Sequence, residues 1–277
     1  MTLVSEKKNK WSKVARKIRR AIFMHESSYY DMYENKGEKF FGRLYLHEIF
    51  RILKEQGIQK PLKILDAGCQ TGRLSVPLAK EGHQITGVDT SQLALKRAAQ
   101  HAADGGISVK LVHANLGAWL PKQPSGSFDA VLCTEVLYLR SNHKQLLSEL
   151  LRVLKPGGLC FISHRPEAYY LVEASGRDDS EAMKIILTAK EGTLFGSYYN
   201  WQTREDLDTL YREMGVEPLA ITAIGFLSWL KVNPENLSPG EQDSLFEVDT
   251  NPEYRNNSGG RYLLVSGRKN EQQNKTF

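Results

Sequence analysis

Cysteine is scarce in this chain: Cys69, Cys133 and Cys160 are the only three in 277 residues. They are too few and too scattered for a disulfide framework or a zinc site, so neither a stapled secreted scaffold nor a metal is expected. Each lies in or beside an apolar run, where a free thiol behaves as a small hydrophobe, and a reducing, cytoplasmic setting follows. No run of about 18 apolar residues exists, which argues against a membrane-spanning helix. No apolar segment with a small-residue cleavage site follows the charged N-terminal stretch, so no secretory signal is expected. Repeats and low-complexity tracts are missing as well. What remains is ordinary for a globular protein, with 41% hydrophobic and 25% charged residues, and the length suits one large domain or one domain with appendages.

Acidic residues are nearly absent from the first 20 positions, where eight basic side chains stand against Glu6 alone. The whole chain carries a net charge of +5, so the remainder sums to −2 and the basic excess belongs to the front end. There Trp11, Val14, Ala15, Ile18 and Ile22 recur at helical spacing with basic residues on the other face. Such a helix either packs on the body as part of a lid or makes weak contact with an anionic membrane surface. A second helix is expected around Tyr29–Asn35 and a third from Phe40 to Gln56, closed by Gly57.

At Leu62 the period changes. Leu62–Asp66, Gln84–Val88, Val109–Val112, Phe128–Cys133 and Leu159–Ser163 read as strands. They alternate with helices over Arg73–Lys80, Leu93–Ala103 (capped by Ser91) and His143–Leu154, the last stopped by Lys155-Pro156-Gly157-Gly158. Alternation of this kind predicts βαβ units around a mostly parallel, Rossmann-like doubly wound sheet. After Ser163 it breaks for about 40 residues, then resumes with a helix capped by Thr203 and two further strands, Leu219–Ala223 and Tyr262–Ser266. Ser238-Pro239-Gly240-Glu241 starts a helix between those two strands. The expected division is a helical N-terminal extension or lid over 1–58, an α/β domain over 59–268 with insertions at about 164–202 and 225–260, and a polar tail over 269–277.

The chemistry sits at the first strand-to-helix turn, Ile64-Leu65-Asp66-Ala67-Gly68-Cys69-Gln70-Thr71-Gly72, with Asp89 ending the next strand. A glycine-rich turn lets a ligand approach the backbone and the free N–H groups of a helix start. An acid at the tip of the second strand can accept from both hydroxyls of a ribose. A dinucleotide site wants a glycine where Gln70 stands, to make room for a pyrophosphate, and Asp66 would repel that group while welcoming an ammonium. The site therefore suits a nucleoside carrying an amino acid.

Leu65-Asp66-Ala67-Gly68-Cys69-Gln70-Thr71-Gly72 resembles motif I of the class I S-adenosylmethionine-dependent methyltransferases. Ser127-Phe128-Asp129-Ala130-Val131, Glu135-Val136-Leu137 and Leu151-Arg152-Val153-Leu154-Lys155-Pro156-Gly157-Gly158 extend the resemblance over about residues 60–165. It implies a seven-stranded sheet whose last strand is antiparallel, S-adenosyl-L-methionine as cofactor and S-adenosyl-L-homocysteine as product. Matched position by position, Asp66, Ala67, Gly68 and Gly72 would hold the methionine end, and Asp89 the ribose. Thr90 would lie beside the adenine and Asn115 would meet its amino group, Leu116 would be a further cofactor-binding position, and Thr134 would sit near the methionine portion or the acceptor. Gln70 for glycine and Asn115 for aspartate are the two departures.

No Asn/Asp-Pro-Pro-Tyr/Phe motif follows the fourth strand, where Thr134-Glu135-Val136-Leu137 stands, so amino methylation of adenine or cytosine is not expected. Glu135 and His164 are the candidate general bases, needed only if the acceptor carries a proton to lose. Aromatic residues crowd 23–50 and 169–201, and Tyr29, Tyr30, Tyr33, Tyr169, Tyr199 and Trp201 are the expected walls of a pocket for a small, partly apolar or planar acceptor. The near-neutral body argues against a nucleic-acid partner. An RNA methyltransferase tracking phosphates with the basic helix, and a cofactor-binding protein without transfer, are the alternatives.

Overall fold

The computed structural model describes residues 30–229, 232–256 and 259–271. The basic segment Trp11–Ile22 and Tyr29 lie outside the described residues.

Strand β1 (Lys63–Ala67) is followed by helix α2 (Ser75–Lys80), after the earlier α1 (Lys36–Glu55). Next come β2 (Gln84–Asp89), α3 (Gln92–Asp104), β3 (Lys110–His113), β4 (Phe128–Cys133), α4 (His143–Val153) and β5 (Leu154–His164). An insertion of α5 (Glu167–Ser175), α6 (Ser180–Thr188) and the hairpin β6 (Glu191–Leu194) and β7 (Ser197–Asn200) precedes α7 (Arg204–Glu213). The chain finishes with β8 (Val216–Ile224), α8 (Pro239–Thr250) and β9 (Tyr262–Lys269). The main sheet has seven strands in the order β3-β2-β1-β4-β5-β9-β8. Neighbours from β3 to β5 are parallel, and β9 runs antiparallel to both β5 and β8. This is the sheet expected from the sequence. Strand order reverses between β1 and β4, and such a switch point opens a crevice beyond the carboxyl ends of the strands.

The strands lack polar alternation because both faces are covered. Along β1 and β4, Leu65, Ala67, Val131 and Cys133 join a cluster with α4 and α7. Ile64, Ala130 and Leu132 face the opposite cluster, built with α1 and α2. Helix α1 buries Phe40, Phe41, Leu44, Tyr45, Ile49 and Ile52 at helical spacing, so its apolar face is part of that core. The anticipated caps are present: Ser91 accepts from Ala94 N–H, and Thr203–Asp206 and Ser238–Glu241 form capping boxes.

Two expectations fail locally. Residues 32–34 form a turn where a helix around Tyr29–Asn35 was expected, because the Asp31 carboxylate accepts from the N–H groups of Tyr33 and Glu34. Helix α1 then starts after Asn35, whose side chain accepts from Glu38 N–H. The Lys155–Gly158 segment is not a loop. Strand β5 already begins at Leu154, and the register against β4 jumps between Phe128 and Ala130, so the proline and glycines sit in a bulge. No helix among the described residues is long and apolar enough to cross a membrane.

Candidate functional site

The turn after β1 is held to β2 through its backbone. Gly68 and Cys69 donate to the Val88 carbonyl at 2.8 and 3.2 Å, and Gln70 N–H donates to Asp89 Oδ2 at 3.1 Å. Asp89 Oδ1 takes Ser91 N–H at 2.8 Å, so this acid ties the turn to the next helix as well as facing the crevice. Gly68 has φ 90°, and a Cβ there would come within 2.5 Å of the Val136 side chain. Only glycine fits. Gln70 adopts φ 47° without being glycine.

Asp66 is 2% exposed and accepts from Ser75 Oγ at 2.6 Å. Burial pushes its pKa up to about 6, against the opposing pull of Ser75 and Arg73. Glu135, just past β4, has φ 63°, and its N–H donates to Ser163 Oγ at 2.7 Å. A strained non-glycine residue pinned at the end of a strand is where function is to be sought. Its carboxylate accepts from Arg73 at 2.7 Å and from the Tyr262 hydroxyl at 2.7 Å. Burial raises the Glu135 pKa, but Arg73, Tyr262 and Arg165 outweigh it and hold the carboxyl below its ordinary value. Arg73 also pairs with Glu38 of α1 and lies over the Tyr45 ring. For Glu38 burial wins, with Glu135 adding to it, and its pKa is raised.

Of these groups, Asp66, Gly68, Cys69, Gln70, Arg73, Asp89 and Glu135 line a cavity of about 360 Å³ at the switch point. Of the positions predicted to bind a cofactor, Asp66, Gly68, Asp89, Thr90, Asn115, Leu116 and Thr134 line it. Ala67 is enclosed in the core, and Gly72 packs toward Val76 and Ala98. Asn115 Oδ1 caps the single helical turn Leu116–Trp119 by accepting from Gly117 N–H at 2.9 Å. Met32, Arg73, Val136, Arg140, Asn142 and Leu146 also line the cavity, and none of them was among the predicted positions. Arg73 directly follows the motif and Val136 lies within Glu135-Val136-Leu137, both usable signals; Leu146 is on α4, and Met32, Arg140 and Asn142 depend on loop paths that leave no periodicity.

The candidate bases separate. Glu135 lines the cavity. His164 does not: it is 2% exposed, its Nε2 meets the Tyr211 hydroxyl at 2.9 Å, and burial drives its pKa down to about 3. The predicted acceptor aromatics are not brought to one wall either. Tyr30 lines a second cleft of about 260 Å³ with Glu38, Phe41, Glu235 and Arg261. Tyr33 stacks on His101 with centroids 4.3 Å apart. Tyr169 lies against the Arg165 guanidinium, and Tyr199 against Tyr170. Trp201 is fully buried in the insertion's own cluster, where its indole N–H donates to the Ile186 and Ala189 carbonyls.

A doubly wound sheet with a glycine-rich first turn, two strand-end acids and a switch-point cavity defines a nucleoside-binding α/β domain. The family model of the methyltransferase domain matches residues 64–158. A ubiquinone biosynthesis O-methyltransferase of Thiobacillus denitrificans is 31% identical over 193 residues, covering 68% of this chain and 80% of that protein. The enzyme of the same name from Idiomarina loihiensis is 38% identical over 101 residues, covering 36% of this chain and 41% of that protein. The first two curated relatives are thus matched over only 41% and 40% of their own length. Magnesium protoporphyrin IX methyltransferase from Synechocystis PCC 6803, solved with bound S-adenosylmethionine, superposes with a TM-score of 0.51 at 16% identity, covering 82% of this chain and 80% of that one. At that identity the likeness is one of fold. The chain belongs to the class I S-adenosylmethionine-dependent methyltransferase family.

Proposed function

We propose that this chain transfers a methyl group from S-adenosylmethionine to a small, partly apolar or aromatic acceptor. The observation that carries the reading is the charge of the cavity wall. Three carboxylates (Asp66, Asp89, Glu135) face two guanidiniums (Arg73, Arg140), leaving one negative charge in excess among the described residues. That suits a ligand with a sulfonium, an ammonium and one carboxylate, and opposes one bearing phosphates. The donor set fits along the rest of the cavity too, with Asp66 facing the ammonium and Asp89 offering acceptors for ribose hydroxyls. Asn115 already receives Gly117 N–H, and its carbonyl oxygen keeps a second lone pair for an adenine amino group.

S-adenosylmethionine, when bound, supplies a methyl already activated by its positive sulfur. The protein's work is then mainly to hold an acceptor in line, and orientation can supply about 7–11 kcal/mol. Glu135 is the proton-accepting candidate that faces the cavity. Its lowered pKa makes it a weak base, and we assign it to fixing Arg73 and Tyr262 at the reacting end. Glu135→Gln should therefore lower turnover while leaving the shape of the rate profile between about pH 6 and 9 unchanged. Loss, in that variant, of a fall in rate toward low pH would instead make Glu135 the base.

Relatives named for ubiquinone biosynthesis support a small-molecule acceptor. The three free, buried cysteines suit a reducing, cytoplasmic setting. Calorimetric titration with S-adenosylmethionine tests the cofactor. Mass spectrometry of a metabolite extract incubated with protein and deuteromethyl cofactor tests the transfer. Labelled small molecules are the expected result; no cofactor binding would overturn the whole reading.

A further inference from the structure

Gln70 stands at a left-handed position, φ 47°, in a turn where glycine would be free of strain. Its side chain is put to use outside the turn. Nε2 donates to the Tyr30 carbonyl at 3.1 Å, while Oε1 receives Thr71 N–H at 2.7 Å and fixes the amide's orientation. Next to it Thr71 Oγ1 receives Tyr33 N–H at 3.0 Å. The same short segment is also anchored on α3, where Asp31 Oδ2 lies 3.0 Å from His101 Nε2 and 3.5 Å from Arg97. The Tyr33 ring covers the His101 ring. Met32, between these anchors, reaches the wall of the cofactor cavity.

We propose that Gln70 is a positioning residue that latches residues 30–34 across the cofactor cavity, so that Met32 closes over bound cofactor and product leaves only when the strap lifts. The inference rests on the cofactor reading above. Glycine at 70 would relieve the backbone but offer nothing for the Tyr30 carbonyl to accept from. The strap would then hang on Thr71, on the Asp31 contacts with His101 and Arg97, and on the Tyr30 hydroxyl bond to Glu38. Asparagine is the discriminating replacement, since it tolerates the left-handed conformation but is one methylene too short to reach Tyr30.

The test uses S-adenosylhomocysteine as probe, with stopped-flow displacement for its release and hydrogen exchange for the Met32 and Tyr33 amides. Gln70→Gly and Gln70→Asn should both release the probe roughly three- to tenfold faster, as loss of about one hydrogen bond predicts. Both should speed amide exchange in the liganded protein, with Tm unchanged or raised. A merely structural role would lower Tm and leave the release rate alone. Wild-type release rates in both variants overturn this inference by itself; a wild-type protein that does not bind the probe overturns the cofactor reading and this inference with it.

Discussion

Arg73→Met is expected to destabilise the protein by about 3–5 kcal/mol, the cost of removing one partner from a buried charge cluster. The Arg73 side chain is 7% exposed, and its partners Glu38 and Glu135 are 10% and 13% exposed. Methionine fills a similar volume but leaves two carboxylates facing each other without the cation that separates them. The Glu135 contribution to the pH dependence should change sign as well. In the native protein the Glu135 pKa is depressed, so its contribution is present above the ordinary carboxylate range and lost as pH falls through the lowered value. Without Arg73 both carboxyls are raised, and the variant should be less stable at about pH 8 than at about pH 5. Urea unfolding at both pH values checks this. Adding Glu38→Gln and Glu135→Gln to Arg73→Met should recover much of the loss. A loss below about 1 kcal/mol that does not vary with pH would show the cluster to be energetically idle.

Asp66→Asn should do the opposite, weakening the site while sparing the fold. Burial holds the Asp66 pKa at about 6, above its ordinary 3.8. The folded protein therefore binds the extra proton between those values, and the carboxylate costs stability as pH rises through 6. Asparagine keeps an oxygen for Ser75 Oγ and removes that cost, so Tm at about pH 8 should be equal to or above wild type. A cationic ammonium prefers the ionised carboxylate. Wild-type affinity for S-adenosylmethionine should thus fall up to about tenfold per unit as pH drops below 6 and level off above 7. In Asp66→Asn the profile should flatten, with affinity reduced about 10- to 150-fold, the range for a hydrogen bond to a charged group. Calorimetric titration across this range measures both. Undiminished affinity in the variant would remove Asp66 from the site.

Much of this architecture is written in local pattern. Strands covered on both faces become apolar runs such as Ile64-Leu65 and Ala130-Val131-Leu132-Cys133, and capping residues such as Ser91 and Thr203 announce the helices after them. The cavity-lining positions Asp66, Gly68 and Asp89 were legible because a glycine-rich turn and two strand-end acids lie close in sequence. Where the pattern misled, a longer-range competitor decided the outcome. The Asp31 side chain captures backbone N–H groups that a helix would need. His164 ends β5 at the carboxyl end of the sheet, yet α7 brings Tyr211 over it. Trp201 looked like a pocket wall because aromatics crowd its neighbourhood, but the insertion consumes it as its own core. The wall contributed by Arg140, Asn142 and Leu146 depends on how the chain travels from β4 into α4, which no local period encodes.

The central placement of β9 bears on the timing of assembly. This strand lies between β5 and β8, so β8 reaches the sheet only through it. Its first residue, Tyr262, supplies the hydroxyl that completes the Glu135 carboxylate's bonding and a ring against Arg165. A chain emerging from the ribosome can pair β1 through β5 while these residues are still unsynthesised. The carboxylate beside the cavity then waits, half-bonded, for a residue 127 positions downstream. Completion of the Glu135 wall is in this sense a late event in the life of the polypeptide, and nascent or C-terminally damaged chains would have the crevice without that finished wall.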